Sequence, residues 1–198
     1  KKKDILDYGC GWGGFVSYLK NSKSVCGIEI KDECLKHLNK TLPELRVETS
    51  LEEYDKQFDV ITLFHVLEHI PHQVETLSKL KSKLRNNGKV IVEVPSAHDF
   101  LLKFDNLKSY KNFTFFSEHL ILHTEKSLRA ILKNSGFNNI DIKYYQRYNM
   151  SNHLGWFIEE KPGGHEFFNH ITDNKINDDY KNFLVRNKMS DTLIAIAS

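Results

Sequence analysis

The feature that most constrains this chain is the segment Asp7-Tyr8-Gly9-Cys10-Gly11-Trp12-Gly13-Gly14, which follows a strand-like run and leads into a helical pattern. Glycine allows a tight turn there and lets the backbone approach a ligand with no Cβ in the way. The residues beyond it keep alternating. Strand-like runs at 5–8, 25–28, 45–47, 58–64 and 89–94 are separated by helices expected at about 14–20, 32–39 and 72–84. Asn86-Asn87-Gly88 punctuates the last helix-to-strand step. Alternation of this kind argues for a mostly parallel sheet covered by helices on both faces, because parallel strands need crossover connections. Ligands then sit at the carboxyl ends of the strands, in the loops after Tyr8, Ile28, Phe64 and Val94.

Length and composition narrow the class. At 198 residues, 40% apolar and 27% charged, the chain suits a single globular domain spanning 1–198. Its net charge of +2 is outweighed by Lys1-Lys2-Lys3 alone, so no broad basic face for nucleic acid is expected. Cys10, Cys26 and Cys34 are odd in number and lack a close metal-ligand pair, and no signal peptide or bilayer-length apolar run occurs. These features lead us to expect a cytoplasmic protein without membrane insertion. They leave its oligomeric state open. The chain enters its first strand at Asp4, so an upstream segment is expected to be missing.

The second half is less regular. Residues 95–124 read as a long aromatic loop with Phe100, Phe104, Tyr110, Phe113, Phe115 and Phe116. Helical spacing at Leu128, Ile131 and Leu132 ends at Ser135-Gly136 and precedes a strand at about 140–148. Residues 149–190 read as an irregular polar insertion before a last strand at 192–197.

Gly9, Gly11 and Gly14 satisfy a dinucleotide GxGxxG spacing, so the loop alone does not choose between NAD and S-adenosylmethionine (SAM). Asp7 argues for the latter. A carboxylate before the first glycine would repel a pyrophosphate and attract a cationic amino acid moiety. Glu29, at the end of the next strand, stands where a carboxylate accepts from ribose hydroxyls. Taken singly, Asp7 also reads as a turn cap and Glu29 as a solvated strand end. Their placement after consecutive strands favours the adenosine cofactor.

With these residues the chain resembles class I SAM-dependent methyltransferases over most of its length. The acidic residue and alternating glycines of that family's first motif match Asp7, Gly9, Gly11 and Gly13, and its second-strand acid matches Glu29. Its adenine-side Asp is replaced by Ser50, followed by Leu51, and its fourth-strand segment resembles Phe58 through His69. The resemblance implies an α/β, Rossmann-like, doubly wound fold with a mostly parallel seven-stranded sheet whose last strand is antiparallel. It also implies SAM as cofactor, with S-adenosylhomocysteine as product. Cys10 and Ile30, beside those matches, and Phe64 and His65, at the methionine end, complete the implied cofactor contacts.

In-line methyl transfer needs alignment and water exclusion more than a base. For a hydroxyl acceptor a histidine is the natural proton acceptor, and His65 and His119 are the candidates. His69, Phe116, His153 and Trp156 are expected on the acceptor side. His65, Glu68 and His69 have offsets that would suit a divalent cation, but no metal is expected, and Glu68 and His69 read as hydrogen-bonded structural residues. The segment 148–165 is similar to methyltransferases of bacterial surface-polysaccharide biosynthesis. A small-molecule acceptor of the sugar type is therefore expected, with a quinone or other aromatic hydroxyl as the alternative. An NAD-dependent oxidoreductase and a non-catalytic SAM-binding module stay as further alternatives.

Overall fold

The computed structural model describes residues 2–115 and 118–198. Seven strands, β1 (Asp4–Tyr8), β2 (Ser24–Ile28), β3 (Arg46–Glu48), β4 (Phe58–Phe64), β5 (Leu84–Pro95), β6 (Ile140–Tyr145) and β7 (Thr192–Ala197), lie in the order β3-β2-β1-β4-β5-β7-β6. β1 pairs in parallel with β2 and β4, β2 with β3, and β4 with β5. β7 runs the other way: Asn138 N donates to Ser198 O at 3.1 Å beyond one end of β6, while Arg147 N donates to Asp191 Oδ1 at 3.1 Å beyond the other. This is the Rossmann-like sheet with an antiparallel last strand that the family resemblance implies. The strand order reverses at β1, which places a crevice at the carboxyl ends of β1 and β4.

The central strands are buried on both faces, as parallel strands covered by helices must be. Leu6, Ile61, Leu63, Val90 and Val92 have no exposed surface. Each such side chain contributes about 1.5–3 kcal/mol by leaving water. Asn86-Asn87-Gly88 does not end a strand but kinks one. Phe58 faces Leu84 whereas Val60 faces Lys89, and Asn87 takes φ +93°, the signature of a bulge.

The chain divides into two compact units. The first comprises Lys1–Glu93, Leu128–Asp141 and Ala195–Ser198, the second Val94–Ser127 and Ile142–Ile194. In the first, helices α1 (Asp32–Thr41) and α2 (Gln73–Ser82) stand where periodicity places them. The helix expected at 14–20 shrinks to a 3₁₀ turn over Val16–Tyr18. There the Ser17 hydroxyl donates to Gly14 O at 2.7 Å, competing with the backbone for that carbonyl, and Tyr18 is 86% exposed, so Val16 alone is buried in the turn, too narrow an apolar face to hold a longer helix.

The second unit corrects the two irregular segments. The loop expected at 95–124 contains a 3₁₀ turn (Phe100–Lys103) and helix α3 (Lys108–Thr114), and α4 (Glu125–Asn134) begins immediately after it. The polar insertion expected at 149–190 is helical: α5 (Met150–Glu159), α6 (Gly164–Phe167) and α7 (Asn174–Arg186). Its caps are a signal that the sequence reading passed over. Asn149 accepts from Asn152 N at 3.0 Å and Asp173 from Ile176 N at 2.8 Å, the usual work of Asn and Asp at helix starts. No helix among the described residues is long and apolar enough to cross a membrane.

Candidate functional site

The glycine loop turns directly off β1. Gly9 N and Cys10 N donate to Ile28 O at 2.8 and 3.0 Å, tying the loop to the end of β2. Gly9, Gly11 and Gly13 take φ of +78°, +52° and +81°, where a side chain is strained. Their surroundings separate their roles. A Cβ on Gly9 would lie 2.5 Å from Val66 Cγ2 and one on Gly13 2.6 Å from Leu38 Cδ2, so these glycines serve packing. A Cβ on Gly11 would meet nothing within 4 Å. That open space against bare backbone is where a ligand can seat.

Two buried carboxylates adjoin this loop. Asp7, 3% exposed, accepts from Thr62 Oγ1 at 2.6 Å. Burial pushes its carboxyl up to about 6, against the Thr62 hydroxyl bond, and the neighbouring Glu29 charge adds to the rise. Glu29 accepts Gly11 N through Oε2 at 2.8 Å, and Ile30 N and Lys31 N through Oε1 at 2.8 and 2.9 Å. It thus joins the loop to the start of α1, where Lys31 supplies no side-chain cap. No described residue forms an ion pair with Asp7 or Glu29. A cationic ligand with hydroxyls to donate, such as SAM with its ammonium, sulfonium and ribose, fits that acidic corner.

Apolar surface faces water beside it. Ile30 is 76% exposed and Trp12, edge-on to His37 at 5.1 Å, is 56% exposed. Sequence reasoning passed over Trp12, although a large ring between two loop glycines has no core to enter. Ser50 caps the 3₁₀ turn Leu51–Glu53, accepting from Glu52 N at 3.4 Å and donating to the Glu52 carboxylate. Leu51 is buried, 7% exposed.

At the end of β4, Phe64 meets Phe15 edge to face at 4.8 Å, and His65 adopts φ +55°. The His65 ring is flanked by Glu93 Oε1, 3.0 Å from Nε2, and Glu68 Oε1, 3.4 Å from Nδ1. Glu68 has no exposed surface and no hydrogen bond to a described residue, so the hydrogen-bonded role expected for it is not seen among the described residues; its Oε1 also lies 3.9 Å from His69 Nε2. Glu93 and Thr62 were absent from the sequence-derived site. Alternation along β5 places Glu93 opposite Phe64, a register that only strand pairing reveals.

In the second unit, His119 keeps partial exposure and its Nδ1 lies 2.7 Å from Thr114 O. His153 is 3% exposed, stacked on Phe100 at 6.1 Å, with Nδ1 2.7 Å from Tyr180 Oη and Nε2 3.3 Å from Gln146 Nε2. Burial lowers it to about 4, so the ring is neutral at pH 7. Trp156, 3% exposed, packs on Tyr110 and Phe113 at 4.9 and 5.1 Å. Phe116 lies outside the described residues.

Residues 1–142 match the methyltransferase-domain family. A protein of Methanocaldococcus jannaschii is 31% identical over 117 residues, covering 57% of this chain and 50% of that protein. A ubiquinone biosynthesis O-methyltransferase of Nitrosospira multiformis is 35% identical over 99 residues, covering 44% and 41%. The chain spans about half the length of the curated relatives it matches. Among solved structures, a SAM-dependent methyltransferase from Archaeoglobus fulgidus superposes with a TM-score of 0.65 at 21% identity, over 99% of this chain and 86% of that one. Phosphoethanolamine N-methyltransferase 2 of Haemonchus contortus, solved with SAM, gives 0.61 at 16% identity over 100% and 48%. With the glycine loop, its two carboxylates and the switch-point sheet all in place, the chain belongs to the SAM-dependent methyltransferase-domain family.

Proposed function

We propose that this chain transfers a methyl group from SAM to a hydroxyl of a small-molecule acceptor. The observation that carries the reading is the pair of buried carboxylates, Asp7 and Glu29, gathered at a glycine loop with no described ion-pair partner and open space over Gly11. When bound, SAM supplies an electrophilic methyl group on a sulfonium. Asp7 balances its positive charge, Glu29 takes ribose hydroxyls on the lone pairs left by its backbone bonds, and Ile30 covers the adenine. His65, at the carboxyl end of β4, accepts the proton that the acceptor hydroxyl gives up as its oxygen takes the methyl group.

An aromatic hydroxyl is favoured by the relatives named as ubiquinone biosynthesis O-methyltransferases. A relative named as a tRNA U34 carboxymethyltransferase raises a nucleic-acid acceptor, and the net charge of +2 speaks against it. Of the residues expected on the acceptor side, His69 in the first unit is partly exposed; in the second unit His119 is partly exposed, whereas His153 and Trp156 are buried.

Calorimetry with SAM, S-adenosylhomocysteine and NAD tests the cofactor, and release of S-adenosylhomocysteine with a panel of hydroxybenzoates and sugar nucleotides tests the acceptor. Binding of both sulfur ligands and turnover on a hydroxyl acceptor are expected. NAD binding in their place would overturn the cofactor, and SAM binding with no turnover on any acceptor would leave a binding module.

A further inference from the structure

His65 is held more firmly than a residue at the end of a strand needs to be. Its φ of +55° is a left-handed conformation that strains a non-glycine residue unless the surroundings impose it. Glu93 imposes it through two bonds. His65 N donates to Glu93 O at 2.9 Å, and His65 Nε2 lies within hydrogen-bond distance of Glu93 Oε1, at 3.0 Å. On the other edge of the ring stands Glu68, fully buried, its Oε1 3.4 Å from Nδ1 and 3.9 Å from His69 Nε2.

We propose that Glu93 is the positioning residue of this site. By accepting from Nε2–H it fixes the tautomer and orientation of His65, leaving Nδ1 as the nitrogen that takes up a proton. The imidazolium formed by that uptake lies between Glu93 and Glu68, whose charges stabilise it. In methyl transfer to a hydroxyl the acceptor O–H bond breaks as the new O–C bond forms and the C–S bond of the donor breaks, and the released proton is the one His65 receives. The pattern is that of a histidine oriented by a carboxylate on one nitrogen while the other does chemistry. The proposal rests on the reading of His65 as proton acceptor.

The experiment is long-range ¹H–¹⁵N spectroscopy of the imidazoles at a fixed pH of about 7, with S-adenosylhomocysteine as the only added ligand. His65 is assigned by its absence from the His65→Asn spectrum. In the unaltered protein Nε2 of His65 should carry the proton. Glu93→Ala should give the mixed-tautomer shifts of a free imidazole, and Glu93→Gln, which keeps an acceptor oxygen, should restore the single tautomer. An unaltered protein with Nε2 unprotonated overturns the proposal even if Glu93→Ala fails to fold. So does a Glu93→Ala spectrum equal to the unaltered one, or a Glu93→Gln spectrum equal to that of Glu93→Ala. Failure of the unaltered protein to bind S-adenosylhomocysteine would instead sink the cofactor reading, and the imidazole shifts would report on Glu93 all the same.

Discussion

At the scale of single residues, Asp7 sets function against stability. Its carboxyl is pushed up to about 6, first by burial, so folding favours the protonated form, whereas a cationic ligand favours the carboxylate. The raised value means that the stability contributed by neutral Asp7 is full below about pH 4 and is lost as pH rises through about 6. Ligand binding has the opposite sign. Affinity for SAM measured by calorimetry should be flat above about pH 7 and fall below pH 6 by up to about tenfold per unit. Asp7→Asn should abolish that slope and weaken binding at pH 7.5 by about 1–3 kcal/mol, the range for losing a charge-assisted bond. The same variant without ligand should melt no lower than the unaltered protein at pH 8. A lower melting temperature with unchanged affinity would make Asp7 a structural residue. Asp7 and Glu29 were legible because their spacing to the glycines is local. Thr62, which bonds Asp7 across 55 residues of sequence, was not, since only the pairing of β1 with β4 brings them together.

At the scale of elements, two glycines predict different failures. Gly11→Val puts a branched Cβ at φ +52° into space that no protein atom fills, so the chain should fold and lose SAM binding in calorimetry. Gly155 lies where α5 crosses α6, and its Cβ would stand 2.5 Å from Gly164 Cα, a backbone atom that cannot swing away. Gly155→Ala should therefore destabilise by about 1–3 kcal/mol in urea unfolding while leaving SAM affinity unchanged. Equal stability of Gly155→Ala and the unaltered protein would show that the helices separate at little cost. The central strands were legible as continuous apolar runs, and β4 and β7 match the expected bounds at both ends. Helix α7 was not, because Ile176, Tyr180, Phe183 and Leu184 recur at helical spacing within a strongly polar stretch, and Ile176 and Phe183 are themselves 44% and 54% exposed.

On the scale of the whole molecule, the sheet is pinned at the ends of its strands opposite the glycine loop. Asp4, 3% exposed, accepts from Ser24 Oγ at 2.6 Å and pairs with Lys23 at 3.0 Å and Arg85 at 2.8 Å, while Arg85 also reaches Asp59 at 2.8 Å. The Ser24 hydroxyl, then Lys23 and Arg85, hold the Asp4 carboxyl well below the usual carboxylate range against its burial. A depressed acid stabilises the fold above its unfolded value near 4 and loses that contribution as pH falls below it. Asp4→Asn should lower the melting temperature at pH 7 by at least about 2–4 °C and flatten the acid limb of stability below pH 4. A parallel drop at every pH would assign the loss to packing instead of charge. What the amino-acid order determined by itself is whatever acts over short separations: the strand runs, the glycine turn, the acids beside it and hence the cofactor class. Tertiary structure decided the rest. It placed Glu93 and Glu68 on opposite edges of His65, left Gly11 open while packing Gly9 and Gly13, and buried His153 and Trp156. Contacts of that kind depend on which strands pair and which faces leave water, and no local periodicity encodes them.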